Sequence, residues 1–223
     1  MKDIKEQLNI VMLGHKRIPS REGGVEIVVN ELSTRMVKFG HQVTCLNRSG
    51  KHVGDKNIIY SNQFEHNGVN VKTVPTLDFR GVAAMIASVT GALYASFGKY
   101  EIVHFHAEGP CAMLWLPKLF GKRCIATIHG LDHQRAKWGR FAKAYIMLGE
   151  KCAVRFADEI IVLSKNVQQY FKDKYKRETT LIFNGVERPT VRDADVISKI
   201  FFLEKDSYIL YLEDLFLRKV YIT

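Results

Sequence analysis

The same short pattern occurs three times in this chain, each time between a helix-like and a strand-like segment: Phe39-Gly40-His41, Phe97-Gly98-Lys99 and Phe120-Gly121-Lys122. Glycine is favoured just past a helix C-terminus because it adopts the left-handed backbone that closes the last carbonyls. The repeat therefore predicts alternating helices and strands, which is typical of an α/β fold with a doubly wound parallel sheet. In such sheets, ligands bind beyond the carboxyl ends of the strands.

Short apolar runs indicate the strands of this sheet, and apolar positions at helical spacing indicate its helices. The predicted strands are residues 8–13, 42–46, 69–74, 101–105, 123–128, 159–163 and 180–183, with a further buried strand at 207–212. Predicted helices begin at Gly23-Gly24, precede each Phe-Gly pair, and cover about 138–156 and 165–174. Residues 1–190 are expected to form a Rossmann-like domain, and residues 191–223 a linker and the start of a second domain.

Two adjacent glycines, Gly23 and Gly24, follow the first predicted strand and a basic loop. A main chain without side chains can approach a phosphate closely, and the start of a helix favours negative charge. Two interpretations stay open here, a phosphate site or a glycine pair that only starts a helix. Eight residues separate Gly14 from Gly23, which does not fit a dinucleotide fingerprint, and there is no G-x-x-x-x-G-K-[ST] sequence.

The balance of charge favours an acidic partner. The chain holds 33 Lys and Arg against 23 Asp and Glu, a net charge of +10. Phosphorylated substrates and anionic membranes fit this balance, whereas the aromatic residues are not interleaved with the basic ones as in a single-strand nucleic-acid binder. Between Gln134 and Arg155, six basic residues accompany a single acid, Glu150. This segment is expected either to face an anionic membrane or to be an ordinary solvated helix face.

Two further features bear on the compartment. The four cysteines show no C-x-x-C pair, which favours reduced core thiols in a cytosolic protein. Residues 81–98 carry no charge and are barely long enough to span a membrane, so a buried helix is favoured over a span. We therefore expect a cytoplasmic protein, with a peripheral position on the inner face of the cell membrane as an extension of that expectation.

Polar side chains follow the predicted strands at their carboxyl ends. His106 comes directly after the strand at 101–105, and His129, Asp132 and Arg135 follow the strand at 123–128. Because these ends meet at one edge of a parallel sheet, the sequence predicts a binding site there.

The histidines of this region also permit a metal-dependent hydrolase. The usable ligands are His104, His106, His129, Asp132 and His133. The sequence lacks a consolidated H-x-H-x-D-H pattern, and His104 lies inside a strand predicted to be buried on both faces. A site without metal is therefore preferred to this alternative.

Several motifs together resemble bacterial family 4 glycosyltransferases, in the subgroup that includes rhamnosyltransferases of surface-polysaccharide synthesis. They are GGVE at 23–26, HFH at 104–106, TIHGLDHQRAKW at 127–138, AD at 157–158, Ser164 and NGV at 184–186. The resemblance covers about residues 8–190, and 129–138 is its most specific part. It implies a GT-B architecture, in which two Rossmann-like domains enclose the active site, and it identifies this chain with the N-terminal, acceptor-binding domain.

The same resemblance implies retaining transfer from a nucleotide-sugar, which is a co-substrate, with no metal or cofactor. It assigns Gly23 and Gly24 to the donor diphosphate and makes His129, near the transferred sugar, the candidate catalytic residue. Further substrate contacts are expected from Glu26, His106, Asp132 and Arg135. Transfer builds negative charge on the leaving phosphate, which preorganised N–H groups stabilise. His129 would hydrogen-bond a sugar hydroxyl or hold a partial charge near neutral pH.

The expected partners are a nucleotide-sugar donor, a sugar or lipid-linked acceptor and an anionic membrane surface, but no nucleic acid. Family members continue after the strand matching residues 208–212 with a Gly-Arg pair and a full donor-binding domain, whereas Glu213 and Asp214 stand here. We expect a frameshift or premature stop, or a split enzyme completed by a second polypeptide. The chain alone would then be inactive. The alternative is that it is the non-catalytic half of a split enzyme and binds a membrane surface or a partner protein.

Overall fold

The computed structural model of this protein describes residues 7–50, 62–77, 82–135, 138–186, 195–204 and 207. The chain divides into two units, Met1–Asn184 and Gly185–Thr223. The strands are β1 (Asn9–Leu13), β2 (Gln42–Arg48), β3 (Gln63–His66), β4 (Val69–Val74), β5 (Ile102–His106), β6 (Arg123–Ile128), β7 (Glu159–Val162) and β8 (Thr180–Leu181). They form one sheet in the order β3-β4-β2-β1-β5-β6-β7-β8. All neighbours are parallel except β3, which runs antiparallel to β4.

The predicted α/β fold with a doubly wound, mainly parallel sheet is confirmed. All seven strands predicted before residue 190 are present, with ends shifted by at most two residues. The edge strand β3 lies outside the predicted strands because Phe64 is its only large apolar residue. A signal for it exists in Asn67-Gly68, whose φ angles of 49° and 80° suit the two-residue turn of a hairpin.

Helices connect these strands, and their starts follow the sequence closely. The helices are α1 (Gly24–Lys38), α2 (Ala83–Phe97), α3 (Trp115–Leu119), α4 (Arg140–Phe156), α5 (Lys165–Tyr175) and, in the second unit, α6 (Asp195–Phe201). Gly23 directly precedes α1, as predicted. Ser164 caps the start of α5, because its Oγ accepts the Val167 backbone N–H at 3.3 Å.

The three Phe-Gly pairs end helices by two different geometries. Gly40 and Gly121 have φ of +95° and +72°, the predicted left-handed backbone. Gly98 has φ −75° and ψ 163°, so the prediction of a left-handed residue is wrong there. A Cβ at Gly98 would lie 2.3 Å from the Tyr100 ring, so the missing side chain makes room for that ring.

The alternation of side chains along the strands builds a core on each face of the sheet. Val11 and Leu13 of β1 join the core beneath α2, α4 and α5, whereas Ile10 and Met12 join the core beneath α1. Cys45, Cys111, Cys124 and Cys152 are all free, and the first three are buried. The sheet is thus packed by apolar side chains on both of its faces.

Helix α2 occupies most of the uncharged segment 81–98, and one of its faces is exposed. Ala87, Ala92 and Ala95 are buried, whereas Leu93 is 41% and Phe97 70% exposed. The expectation of a buried helix therefore holds for one face only. In the part of the chain that the structure describes, no helix is both long and apolar enough to cross a membrane.

The second unit contributes α6 and a short turn in which Ser207 N–H donates to the Glu204 carbonyl at 3.2 Å. Apart from Ser207, the strand predicted at 207–212 lies outside the described residues. The predicted domain boundary near 190 also falls on residues outside the described part.

Candidate active site at the carboxyl edge of the sheet

The carboxyl ends of β1, β5 and β6 lie side by side, since β5 pairs with both of the others. His15 follows β1, His106 ends β5, and His129 follows β6. The structure brings the two predicted site residues of this group together, with His106 Nδ1 and His129 Nε2 3.2 Å apart.

We call His15, His104, His106 and His129 the histidine cluster. The ring centroids of His104 and His106 are 4.2 Å apart, and those of His106 and His129 are 5.5 Å apart. His104 Nε2 lies 2.7 Å from Thr127 Oγ1, and His15 Nε2 lies 3.1 Å from Asn47 Oδ1. Hydrogen bonds and ring contacts thus join the ends of β5 and β6. His15 is hydrogen-bonded to Asn47 of β2 and lies close enough to contribute to the lowered pKa of His106.

Burial keeps these imidazoles uncharged at neutral pH. Burial lowers the pKa of His15 and of His129 to about 4, that of His104 to about 3, and that of His106 well below its usual value. Neighbouring imidazoles add to the effect on His104 and His106. His129 is therefore a neutral hydrogen-bonding group at pH 7, not a partial positive charge.

The peptide after β5 is held by glycines from two other elements. Ala107 has φ +72°, a left-handed conformation that is rare for a residue with a side chain. A Cβ on Gly14 would lie 2.1 Å from the His106 carbonyl oxygen, and one on Gly149 would lie 1.9 Å from the Glu108 carbonyl oxygen. Gly14, at the end of β1, and Gly149, in α4, thus permit close backbone approach on both sides of Ala107.

Buried polar side chains fasten the loop between β1 and α1. Glu26 is 7% exposed, and its Oε1 accepts the Lys16 backbone N–H at 2.9 Å. Asn47 Oδ1 accepts the Ile18 backbone N–H at 3.0 Å, while its Nδ2 donates to the Ile18 carbonyl at 2.9 Å. The predicted substrate contact Glu26 is therefore buried and holds the loop.

The two glycines at the start of α1 have different surroundings. A Cβ on Gly23 would lie 2.1 Å from Glu26 Oε2, whereas one on Gly24 would meet nothing within 4 Å. The missing side chain at Gly23 therefore accommodates the Glu26 carboxylate, and Gly24 leaves the helix start open. The charge of Glu26 also opposes the lowering of the His129 pKa, which relates the start of α1 to the histidine cluster.

A second group of polar side chains connects the loop after β6 with α4 and α5. We call it the glutamate cluster, and its members are Glu108, His133, Glu150, Tyr170, Lys174 and Tyr175. Glu150 Oε1 accepts hydrogen bonds from Tyr170 and Lys174, both at 2.9 Å, and from Tyr175. Glu108 Oε2 accepts the Asp132 backbone N–H at 2.7 Å. The side chains of both glutamates are fully buried.

The turn Asp132–Gln134 links this cluster to the surface. Asp132 Oδ1 lies 3.1 Å from Arg135 Nε, and the Arg135 side chain is 57% exposed. His133 instead contacts the buried glutamates, with its Nδ1 3.3 Å from Glu150 Oε2 and 3.6 Å from Glu108 Oε1. Of the predicted substrate contacts, Asp132 and Arg135 thus remain accessible, whereas His106 is fully buried.

The ligands of the metal-dependent alternative are divided between the two clusters. His104, His106 and His129 belong to the histidine cluster, and His133 to the glutamate cluster. Within the described residues, the group whose ligand atoms approach closely enough to hold an ion is Glu108, His133 and Glu150, at 4.8 Å or less. This group differs from the predicted one, and Lys174 already places a positive charge beside it.

Neither Glu108 nor Glu150 is among the predicted site residues. For Glu150 the sequence does contain a signal, because Ile146, Gly149, Glu150 and Ala153 lie at helical spacing on the buried face of α4. A lone acid on the buried side of a basic helix indicates a buried partner. For Glu108, the only signal in the sequence is its position two residues after the end of β5.

The exposed side of α4 is basic and partly apolar. Arg140, Lys151 and Arg155 are exposed. Phe141 is 74% and Leu148 51% exposed between them. We call these five residues the α4 outer face.

Comparison with known proteins places this fold in a recognised class. The chain resembles sucrose-phosphate synthase from Thermosynechococcus elongatus with a TM-score of 0.62 and 19% identity, over 90% of this chain and 54% of that one. It resembles the catalytic domain of starch synthase IV from Arabidopsis thaliana, solved with ADP and acarbose, with a TM-score of 0.56 and 14% identity, over 81% of this chain and 52% of that one. At such identities the likeness shows the fold alone.

The fold is therefore that of one Rossmann-like domain of a GT-B protein. Residues 22–188 match the family model described as Glycosyltransferase Family 4, and the chain belongs to that family. It spans about half the length of the solved structures it resembles. No curated protein matches its sequence.

Proposed function

We propose that this chain is the acceptor-side domain of a nucleotide-sugar-dependent glycosyltransferase. The observation that carries the proposal is the open helix start at Gly24 together with the neutral imidazole of His129. Free N–H groups at a helix start favour a diphosphate, and a neutral imidazole hydrogen-bonds a sugar hydroxyl. The starch synthase that shares this fold was solved with ADP, which supports a nucleotide-linked donor.

In this proposal, Gly23 and Gly24 contact the donor diphosphate through their main chain, and His129 is the catalytic candidate beside the transferred sugar. Asp132 and Arg135 are the accessible candidates for direct substrate contact.

Two of the predicted contacts take an indirect role because they are buried. Glu26 fastens the loop at Lys16, and His106 orients the ring of His129. Both are positioning residues in this proposal.

The finer assignments rest on the motifs at 23–26 and 127–138. We propose retaining transfer without a metal or cofactor, in the synthesis of a bacterial surface polysaccharide, by an enzyme similar to rhamnosyltransferases. We also propose that a second, donor-binding domain completes the cleft, as in the GT-B architecture.

A titration followed by amide NMR tests the diphosphate site. Addition of UDP-glucose or ADP-glucose to the chain should shift the amide signals of Gly23 and Gly24 at millimolar concentration, since half a cleft gives weak binding worth only about 4 kcal/mol. Gly24→Val should abolish these shifts without loss of folding, because a side chain there meets open space.

Gly139→Val is the matched control, since Gly139 also stands at a helix start and a Cβ there meets nothing within 4 Å. It should leave the Gly23 and Gly24 shifts unchanged. If nucleotide-sugars shift neither glycine, or shift them equally in Gly24→Val, the pair only starts a helix and the proposed site is wrong.

A peripheral, cytoplasmic position at an anionic membrane is the second proposal, and the α4 outer face favours it. Three cations surround the exposed Phe141 and Leu148 on one side of a helix. Apolar side chains enter the headgroup region, and each cation near an anionic surface contributes about 1 kcal/mol. Such a face would hold the domain close to a lipid-linked acceptor.

Co-sedimentation with vesicles containing phosphatidylserine tests this surface. Binding should require the anionic lipid and fall steeply with salt. It should weaken at least tenfold when Arg140, Lys151 and Arg155 become Ser. The control replaces three exposed lysines elsewhere, Lys38, Lys165 and Lys176, and removes the same charge. Equal loss in both triple variants, or no binding at low salt, would refute a membrane-facing α4.

A further inference from the structure

Glu108 and Glu150 bring two carboxyl groups together in a place that water does not reach. Both side chains are fully buried, and the atoms Glu108 Oε1, Glu150 Oε2 and His133 Nδ1 all lie within 4.8 Å of one another. Within the described residues, each of these three atoms is buried without a hydrogen-bond partner. Two buried negative charges this close repel each other strongly.

The remaining oxygens of the two glutamates have very different partners. Glu150 Oε1 receives two tyrosine hydroxyls and the ammonium of Lys174. Glu108 Oε2 receives one neutral donor, the Asp132 backbone N–H. Positive charge therefore supports the ionised form of Glu150 but not that of Glu108.

We propose that Glu108 is a positioning residue that stays protonated at neutral pH, donates its proton to Glu150 in a hydrogen bond, and fixes the turn Asp132–Gln134 through the Asp132 amide. One proton then satisfies both carboxyl oxygens that otherwise lack partners. It also leaves a single negative charge in the cluster, which Lys174 balances.

The electrostatics of the two groups agree with this division. Burial, together with the neighbouring Glu150, raises the pKa of Glu108 to about 9. Burial alone would raise the pKa of Glu150 as well, but hydrogen bonds from Glu108, the tyrosines and Lys174 lower it. The ionisable groups around Glu108 are Cys111 on its own segment, Asp132 and His133 on the turn, Glu150 on α4, and Tyr170, Lys174 and Tyr175 on α5 beyond it.

The consequence for function rests on the proposed site at this edge. The turn that Glu108 holds carries Asp132, which pairs with Arg135 at the surface, and follows His129 by three residues. A backbone hydrogen bond to a buried, neutral carboxyl fixes where these side chains stand. Glu108 therefore positions the accessible part of the site without reaching a substrate.

Amide substitutions of the two glutamates give opposite predictions. In Glu108→Gln the side-chain oxygen still accepts the Asp132 N–H, and the NH₂ group replaces the shared proton, so the packing of the cluster is kept. At pH 7 the folding equilibrium constant should rise, by up to about a hundredfold, because Glu108 of the unfolded chain is ionised and must bind a proton to fold. Glu150→Gln leaves Lys174 beside a neutral group and should lower that constant about a hundredfold or more. Urea unfolding at pH 7 measures both. Equal losses in the two variants would overturn the proposal.

Hydrogen exchange and pH dependence add readouts that a purely packing role would not move. Glu108→Ala should speed exchange of the Asp132 amide about tenfold, and Glu108→Gln should not. The folded pKa of Glu108 lies above its unfolded value, so its contribution to stability is lost as pH rises towards 9. The folding constant of Glu108→Gln relative to the unchanged chain should therefore rise by up to about tenfold per pH unit between pH 5 and 9.

The unchanged protein provides a test that does not depend on the folding of any variant. The carboxyl carbon of Glu108 should show the NMR shift of a protonated acid at pH 7, and that of Glu150 the shift of a carboxylate. An ionised Glu108 at pH 7, or a flat pH ratio for Glu108→Gln, would overturn the proposal. None of these readouts involves a nucleotide-sugar, so they separate this proposal from the proposed function.

Discussion

The histidine cluster and the glutamate cluster lie on either side of Ala107, and they handle buried ionisable groups in opposite ways. Among the described residues, the hydrogen bonds of these histidines go to Asn47, to Thr127 and between His106 and His129, and burial keeps the rings neutral. The glutamate cluster keeps a charge, because Glu150 receives three donors, including Lys174. Burial thus removes charge where the neutral form is readily available and requires partners where charge persists.

The difference also separates two tasks at the same edge of the sheet. Because the His129 imidazole is neutral, it can hydrogen-bond a polar ligand without the cost of burying a charge. The charged cluster, in contrast, connects α4, α5 and the turn at Asp132 through hydrogen bonds to its two glutamates. The cluster that contains His129 is neutral, and the cluster that contains Glu150 is ionic.

The largest expected change in the free energy of unfolding comes from replacing Gly14 or Gly149, the two glycines that pack against the backbone on either side of Ala107. Gly14→Ala and Gly149→Ala each place a Cβ about 2 Å from a backbone carbonyl oxygen, which cannot move aside as a flexible side chain would. Each should therefore lower the free energy of unfolding by about 3 kcal/mol or more. Gly14→Ala should be the worse of the two because its φ of +110° also disfavours a side chain. Urea unfolding measures both.

Gly139→Ala serves as the control for Gly149→Ala, since it lies at the start of the same helix and its Cβ would meet nothing within 4 Å. It should change the free energy of unfolding by less than about 1 kcal/mol. If Gly149→Ala lowers the free energy of unfolding no more than Gly139→Ala does, α4 can move away from the Glu108 carbonyl. The close packing at Gly149 would then not be needed to hold the two clusters next to each other.

A smaller effect distinguishes the clusters by the sign of their pH dependence. Because the folded pKa of His129 is about 4, below its unfolded value near 6.5, its contribution to stability is present above pH 6.5 and lost as pH falls. Between pH 7 and 5 this loss amounts to about 2 kcal/mol for one histidine. His129→Gln should remove that part of the acid destabilisation, whereas the Glu108 contribution has the opposite sign and is lost as pH rises between 5 and 9.

His66→Gln, on the edge strand β3 and outside the cluster, is the control for this measurement. Its unfolding free energy should change between pH 7 and 5 as much as that of the unchanged protein. If His129→Gln shows the same dependence as the control, His129 is not buried as a neutral group, and the contrast between the clusters fails on the acid side.

The fold could be predicted in detail because its evidence is local. Each parallel strand is a short apolar run, and Gly40, Gly121 and Ser164 mark helix ends within a few residues. The errors arise where a distant or non-periodic feature decides. Gly98 serves the Tyr100 ring, and β3 depends on a hairpin turn instead of apolar alternation.

The candidate site could be predicted only as a set of residues at one edge. The contact between His106 and His129 joins positions 23 residues apart, and the Tyr175 hydrogen bond to Glu150 joins positions 25 apart. No local pattern encodes such pairs. Charge state depends on burial as well, which is why the neutral form of His129 and the buried position of Glu26 emerge only from the three-dimensional structure.

The central place of β5 has a consequence for how the chain assembles during synthesis. Strands β1, β2 and β4 can pair as soon as residue 74 has been made. The other neighbour of β1 is β5, and the residues that join them, such as Asn9 and Glu101, are 92 positions apart in the sequence. Until β5 emerges, one edge of β1 remains an unpaired template for other chains. Closing so long a loop is slow, so the edge that carries the two clusters forms after the amino-terminal strands, and the nascent protein is most prone to aggregate in that interval.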